Sequence, residues 1–445
     1  MANNKTSTEK PPFYIRRFFL ILVSLGLIGG VAALWIPSNT GWLRQSGLSG
    51  EAEQKSISDL RLHFLYITGG IIAILTLLQT NWKNQVDRRK VEADIKKNEQ
   101  DAEKNERDHI RQVHAERRSR YTKAVEQLAN EKAAVRLGGI YTLVGLVDEW
   151  LADDTLESAE QQKEGQVIIN NLCSYIRSPF TPALKAEMLE GDSEPENYEG
   201  DFSKDQAAFH EEQDVRRTVF VEMSKRSSTF TKNDKGEIFE TVPGIWSDFD
   251  FDFSRAPIFY PLNAITIEKG NFSSAKFYSN ANFNGATFTQ NANFSEATFT
   301  QNANFNGATF TQNANFSWAF FTQNANFNGA TFTQNAGFGE AAFTQTADFS
   351  KATFSSSSPK FVETSEVLGM PFRAHFAALA KNQEAHNFTV SKGSFRIPPG
   401  EAELRDGVKH HIPVGTVLFD PSSGETSEPA KPLENSDTEE EKPAK

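Results

Sequence analysis

Four successive rhythms of apolar and polar residues run along this chain. Phe18 to Ile36 (FFLILVSLGLIGGVAALWI) is continuously apolar and uncharged, and a second apolar run extends from about Leu62 to Trp82. Each is long enough to cross a bilayer as a helix. From 83 to 120, Lys, Arg, Glu and Asp are dense, apolar residues are sparse, and Gly and Pro are missing. That predicts a solvated stalk helix held by local ion pairs, with too thin an apolar seam for a coiled coil. From Tyr121 the rhythm changes again. Leu137, Ile140, Tyr141, Val144, Val147 and Leu151 recur at helical spacing, and VIINNLCSYIR and VRRTVFVEMSKR read as two further helices. Residues 121–226 are therefore expected to form a small all-α module, with the acidic stretch from 178 to about 213 as a surface loop.

The last rhythm is the most regular. Phe272, Phe277, Phe283, Phe288, Phe294, Phe299, Phe305, Phe310, Phe316, Phe321, Phe327, Phe332, Phe338, Phe343, Phe349 and Phe354 alternate spacings of five and six residues, with Ala two positions before nearly all of them. The text repeats almost word for word, as in ANFNGATFTQN and ANFSEATFTQN. Such a period marks a solenoid. A helix would need spacings of three and four, and a flat strand a sustained spacing of two. Ala-x-Phe islands instead fit very short strands with Ala and Phe inward, joined by turn formers such as Thr-Gln-Asn and Asn-Gly. Four strands and four corners close one square coil. Coils stacked at roughly 4.8 Å give a stem on the order of 19 Å tall with these phenylalanines as its core.

On these residues the repeat region resembles the pentapeptide-repeat proteins, and among them the Phe-centred eleven-residue subgroup. The resemblance implies a right-handed quadrilateral β-helix. Phe stands where Leu is commoner and every second corner has an extra residue, so bulged corners are expected. The helical stretch carrying Ala124, Glu126, Gln127 and Leu128, then Val135 to Tyr141, then Leu172, Tyr175 and Arg177 resembles the module preceding the repeats in membrane-anchored members. The fold class is thus a multidomain membrane protein. Its parts are a transmembrane hairpin (1–82, spans about 18–36 and 62–82), a charged stalk helix (83–120), the helical module (121–226), a linker (227–245), the solenoid (246–358), a C-terminal cap (359–420) and a disordered acidic tail (421–445). Within the cap, Pro371 to Ala385 reads as a helix. The cap is expected to cover the end of the Phe stack, with dimerisation through it as the rival.

Charge sets orientation and narrows function. Arg16 and Arg17 precede the first run, and Lys83, Arg88, Arg89 and Lys90 follow the second, whereas the loop 37–60 is less basic. The positive-inside rule then puts both termini and the soluble parts in the cytoplasm, on a multi-pass protein of the cell inner membrane. A cleaved leader is the alternative for the first run and leaves that side unchanged. Gly26, Gly29, Gly30, Gly69 and Gly70 allow close packing between the spans. A net charge of −12 argues against a general nucleic-acid binder. The lone cysteine, Cys173, excludes an internal disulfide and reads as a buried thiol.

No nucleophile–base pair, metal cluster, phosphate loop or cofactor fingerprint appears, so no enzyme activity, cofactor or metal is expected. Arg136 and Arg177 read as helix-end caps or partners of Glu126. Asp248, Asp250 and Asp252 alternate with Phe249, Phe251 and Phe253, as in a strand with one wet face. Thr287/Thr289, Thr309/Thr311 and Thr331/Thr333 should stack as an outward Thr-x-Thr ladder. In SWAFF, Phe321 keeps register while Trp318 and Phe320 should face out, as a candidate partner contact or to pack against the flanking chain. The chain therefore reads as a membrane-anchored scaffold presenting a β-solenoid to a protein partner of unknown identity, with the bilayer and a homo-oligomer as further partners. The alternative, a gyrase-directed DNA mimic, is implied by family resemblance. It requires acidic rows, and the repeats carry few charges.

Overall fold

The computed structural model describes residues 12–39, 50–232, 238–364, 369–380 and 385–433. It divides into two compact units, Met1–Arg111 and Gln112–Lys445.

In the first unit, α1 (Phe13–Arg16) and α2 (Phe18–Asn39) are followed by α3 (Gly50–Leu128), within which the second apolar run and the charged stretch form one uninterrupted helix. Both α2 and α3 contain a segment long and apolar enough to cross a membrane. On α2, Gly29, Ala33 and Pro37 share one face and are buried. A Cβ on Gly29 would collide with the Thr68 side chain, so α3 approaches α2 where only hydrogen fits. Gly26, Gly30, Gly69 and Gly70 face open space. Of the five glycines marked by sequence, Gly29 makes the contact.

The second unit takes in the end of α3 from Gln112, then α4 (Ala133–Leu151), α5 (Ser158–Arg177), a short 3-10 turn (Thr181–Lys185), α6 (Ala186–Leu189) and α7 (Phe202–Ser224). The periodic residues Ile140, Val144 and Val147 of α4 are buried, with Ile169, Leu172 and Cys173 of α5. Helix α7 starts well inside the stretch expected as a loop. Asp201 caps it by accepting the Lys204 N–H, and Phe202 and Phe209 are buried. The acidic composition masked an apolar stripe that continues through Val215, Val219 and Phe220. The expected linker likewise contains an antiparallel hairpin, β1 (Thr229–Lys232) paired with β2 (Ile238–Val242).

From Phe251 the chain winds through four parallel sheets, built mostly of two-residue strands. Thr298 pairs with Lys276 on one side and Phe320 on the other, and Ala303 pairs with Ala281 and Ala325. Each strand thus meets the residue one coil away, as two five-residue and two six-residue spacings require. All the phenylalanines of the alternating series are buried. Their rings form columns, Phe283 to Phe305 to Phe327 at 4.9 Å per step, and meet edge-on across the stem, as Phe305 does Phe316 at 5.4 Å. Both geometries suit the aromatic quadrupole. The five-residue corners are tight turns. Ala286 N–H returns to Phe283 C=O at 3.0 Å, with Gly285 at φ +64°.

The stack does not stop at Phe354. Phe361 lies on Phe338 at 5.1 Å, Phe376 on Phe343 at 5.0 Å and Phe388 on Phe349 at 6.0 Å. His375–Ala377 adds to the sheet through Ala342–Phe343. The described part of the expected helix, 371–380, is therefore not helical. Pro371–Arg373 and His375–Ala377 are strands, while 381–384 lie outside the described residues. Placing Phe376 on an exposed ring outweighs a weak helical propensity. Three antiparallel strands, Pro399–Glu403, Lys409–Pro413 and Lys431–Pro432, close this end. The last lies in the segment expected to be disordered. Ala430 is buried, and its N–H reaches Thr416 C=O at 2.8 Å. Residues 434–445 of that segment are outside the described residues.

The cap contains a pH-sensitive joint. His386 Nδ1 accepts the Ala347 N–H at 3.1 Å and Nε2 donates to Ala377 C=O at 3.0 Å, an arrangement that needs neutral imidazole. Burial pushes this histidine down to about 4. An unfolded histidine titrates near ~6.5. Between those values the unfolded chain takes up a proton that the folded chain refuses, so stability falls as pH drops from about 6.5 and levels off below about 4. The expected loss is about 3 kcal/mol. A pH series of urea midpoints checks it, and His386→Gln should flatten the slope. An unchanged slope would move the acid sensitivity elsewhere.

Candidate interaction surface

The N-terminal end of the Phe stack is closed by the helical module. Phe220 of α7 lies 4.6 Å from Phe253 and 6.4 Å from Phe272, while Phe180 and Phe209 meet Phe259 at 5.0 and 5.2 Å. Helices, solenoid and cap share one hydrophobic core from Ala124 to Ala430. With both ends covered, the sides of the stem remain.

Three sides are polar. Asn293 Nδ2 donates to Asn271 Oδ1 at 3.1 Å, and Asn306 to Asn328 at 3.3 Å, so amides link successive coils. The Thr face is less open than expected. Thr287 and Thr309 are buried, and Thr289 donates to the buried carboxylate of Glu268, which also accepts the Ser228 N–H. The base of the β1–β2 hairpin is thereby tied to this side; Thr287, Thr309 and Thr331 do stack in register as expected, but of the six threonines Thr333 alone is exposed. Asp248 and Asp250 are exposed and Asp252 half-buried, while Phe249, Phe251 and Phe253 are buried, so the exposure alternates as expected, but Asp248 lies in a turn and only Phe251–Asp252 is a strand. No group of three or more His, Cys, Asp or Glu among the described residues could hold a metal.

The fourth side carries the aromatic break. Phe320 sits between Thr298 and Ala342 on its sheet, 42% exposed, and Trp318 occupies the preceding corner, 52% exposed. The Trp318 ring meets Phe372 of the cap edge-on at 5.5 Å. Its backbone is left-handed at φ +63°, a conformation that Gly285, Gly307 and Gly329 supply at the opposite corner. A bulky side chain there costs about 1–2 kcal/mol. Trp318→Gly releases this strain and loses an aromatic contact of about 0.5–1.5 kcal/mol. The variant should therefore melt within about 1 kcal/mol of the parent. A larger loss in urea unfolding would assign Trp318 to the cap's packing.

A second feature, invisible to sequence reading, is the fold-back of the cap beside this corner. Glu363 lies over Gly337 and Gly339, where a Cβ on Gly337 would come 2.8 Å from its carboxylate. The ladder positions Asn271, Asn293 and Asn315 give way to Gly337 on that sheet. The double glycine of NAGFGE was the available signal. An open cleft of about 280 Å³ remains beside it, lined by Asn315, Ser317, Lys360 and Glu363.

The polar clusters of the helical module are largely paired internally, with Arg117 Nε and Arg136 Nε buried and without a hydrogen-bond partner among the described residues. Glu212 accepts from Arg216 Nε at 2.7 Å and Tyr175 OH at 2.9 Å, and pairs with Arg136 at 3.0 Å. Arg216 also donates to the carbonyls of Ile176 and Ser178, with Tyr175, Phe180 and Phe259 rings around it. Burial, with Glu212 beside it, pushes the Tyr175 phenol above its ordinary value. Arg136 donates to the Asn130 and Glu131 carbonyls in the turn between α3 and α4 rather than to the last carbonyls of a helix, and its carboxylate partner is Glu212 rather than Glu126. Arg177 binds the carbonyl and carboxylate of Asp252 in the first coil. Burial pushes the Cys173 thiol up to about 12, unsuited to nucleophilic work.

Residues 272–319 and 294–342 match the family model for pentapeptide repeats. No curated protein and no solved structure matches the chain.

Proposed function

From a chain that carries pentapeptide repeats wound into a β-solenoid, we propose a membrane-anchored scaffold whose stem is a docking surface for another protein in the cytoplasm. The observation behind it is the stem itself. Both ends are covered, the sides are amide and hydroxyl ladders, and one side breaks register to display Trp318 and Phe320. A repeat fold of this kind is a structural framework and supplies no reacting group. The apolar helices α2 and α3 provide the anchor, and the basic residues flanking them favour a cytoplasmic location for the soluble unit.

Two measurements test this. Reporter fusions after Leu433 and within 40–49 should place the former inside and the latter outside, and the reverse would overturn the orientation. A photo-crosslinking amino acid placed in turn on each side of the stem, at Asn293, Asn304, Thr333 and Phe320, should capture a protein from at least one side in cells. Silence on all four would remove the docking role. Deleting 246–358 is a poor test, because α7 packs directly on Phe253 and Phe272 and would lose its core.

A further inference from the structure

We infer that the Trp318 corner takes a positively charged side chain, arginine or lysine, from an extended segment of the partner protein. The inference rests on the docking role just proposed and assigns it a place and a chemistry. It starts from the column in which Trp318 stands. Glu296 N–H donates to Ser317 C=O at 3.0 Å, and Trp318 N–H donates to Gly339 C=O at 2.8 Å. Glu296 and Glu340 thus occupy the same corner one coil to either side of Trp318, and both share its left-handed backbone. Coils lie roughly 4.8 Å apart, so Trp318 stands between two glutamates in its column, with Phe320 on the adjoining strand.

Among the described residues, neither carboxylate has a Lys or Arg ion-pair partner. Glu296 is exposed and accepts the Ser274 hydroxyl at 2.8 Å. Glu340 accepts the Arg373 N–H at 3.0 Å and has His375 at 3.9 Å. The Arg373 guanidinium is turned away to Gly415 C=O. An aromatic face flanked by acids attracts a cation twice, through the ring quadrupole and through charge. Guanidinium, planar and weakly hydrated, suits such a place best.

The test is selection of a random-peptide display library on the full chain in detergent, with counter-selection on the Trp318→Gly variant, whose fold is checked by its urea midpoint. The expected result is enrichment of peptides carrying Arg or Lys. Their binding should fall about tenfold or more on Trp318→Gly, weaken on Glu296→Gln, and weaken with added salt. Enrichment of neutral or acidic peptides, binding equal on parent and Trp318→Gly, or no enrichment would each overturn the inference. A crosslink from another side of the stem would still stand in those cases, so failure here is distinct from failure of the scaffold reading.

Discussion

Phe305→Ala is expected to destabilise the second unit by about 3–5 kcal/mol. The Phe305 ring is fully buried, lies 4.9 Å from Phe283 and from Phe327 in its column, and meets Phe294 and Phe316 edge-on at 5.6 and 5.4 Å. Its neighbours are unable to close the hole. Phe305 N–H is bonded to Asn326 C=O at 2.7 Å and Ala303 N–H to Asn324 C=O at 2.9 Å, so the backbone fixes the spacing between coils. The cost is then lost transfer free energy plus a retained cavity. Phe305→Leu leaves a smaller void and should cost less. Urea unfolding followed by tryptophan emission reads both. Because one core runs from helices to cap, a single transition is expected. A loss below about 1 kcal/mol would mean that the coils relax around the gap.

Glu212→Ala should cost a similar amount, about 3–5 kcal/mol, by a different route. It strands two guanidinium groups. Arg216 is 2% exposed and Arg136 pairs with the same carboxylate. Water cannot replace the lost partner, so an uncompensated buried charge remains. The damage should spread to the stem. Gln213, next to Glu212, donates to Phe259 C=O at 2.6 Å, and Phe220, one turn beyond Arg216, covers Phe253. Loosening α7 therefore uncovers the open Phe stack, and the variant should aggregate on heating. Adding Arg216→Met to Glu212→Ala should restore part of the loss, because one stranded charge is removed. If Glu212→Ala unfolds within about 1 kcal/mol of the parent, the cluster is solvated and the capping argument falls.

How much of this was legible in the sequence follows from the range of the forces involved. Patterns that repeat locally were readable. The five-and-six spacing of Phe fixes coil length, because each strand must meet its copy one coil on, and Thr298 does meet Lys276 and Phe320. Uninterrupted apolar runs identified both candidate spans, and helical spacing located α4 and α5. The outward placement of Trp318 and Phe320 followed from Phe321 holding register. What escaped was non-periodic and long-range. Phe202, Phe209 and Phe220 look like scattered residues in an acidic stretch until α7 closes the end of the stem. Phe361, Phe376 and Phe388 are separated by irregular segments, so no period betrays that they extend the ring columns. The pairing of Arg136 with Glu212 joins helices far apart in sequence, and the burial of Thr287 and Thr309 cannot be read from their own repeats. The repeating unit was thus written in the order of residues, since its contacts are between near-identical neighbours at a fixed interval. How the stem ends and which side stays open emerged only on folding, since both depend on single unrepeated contacts between distant segments.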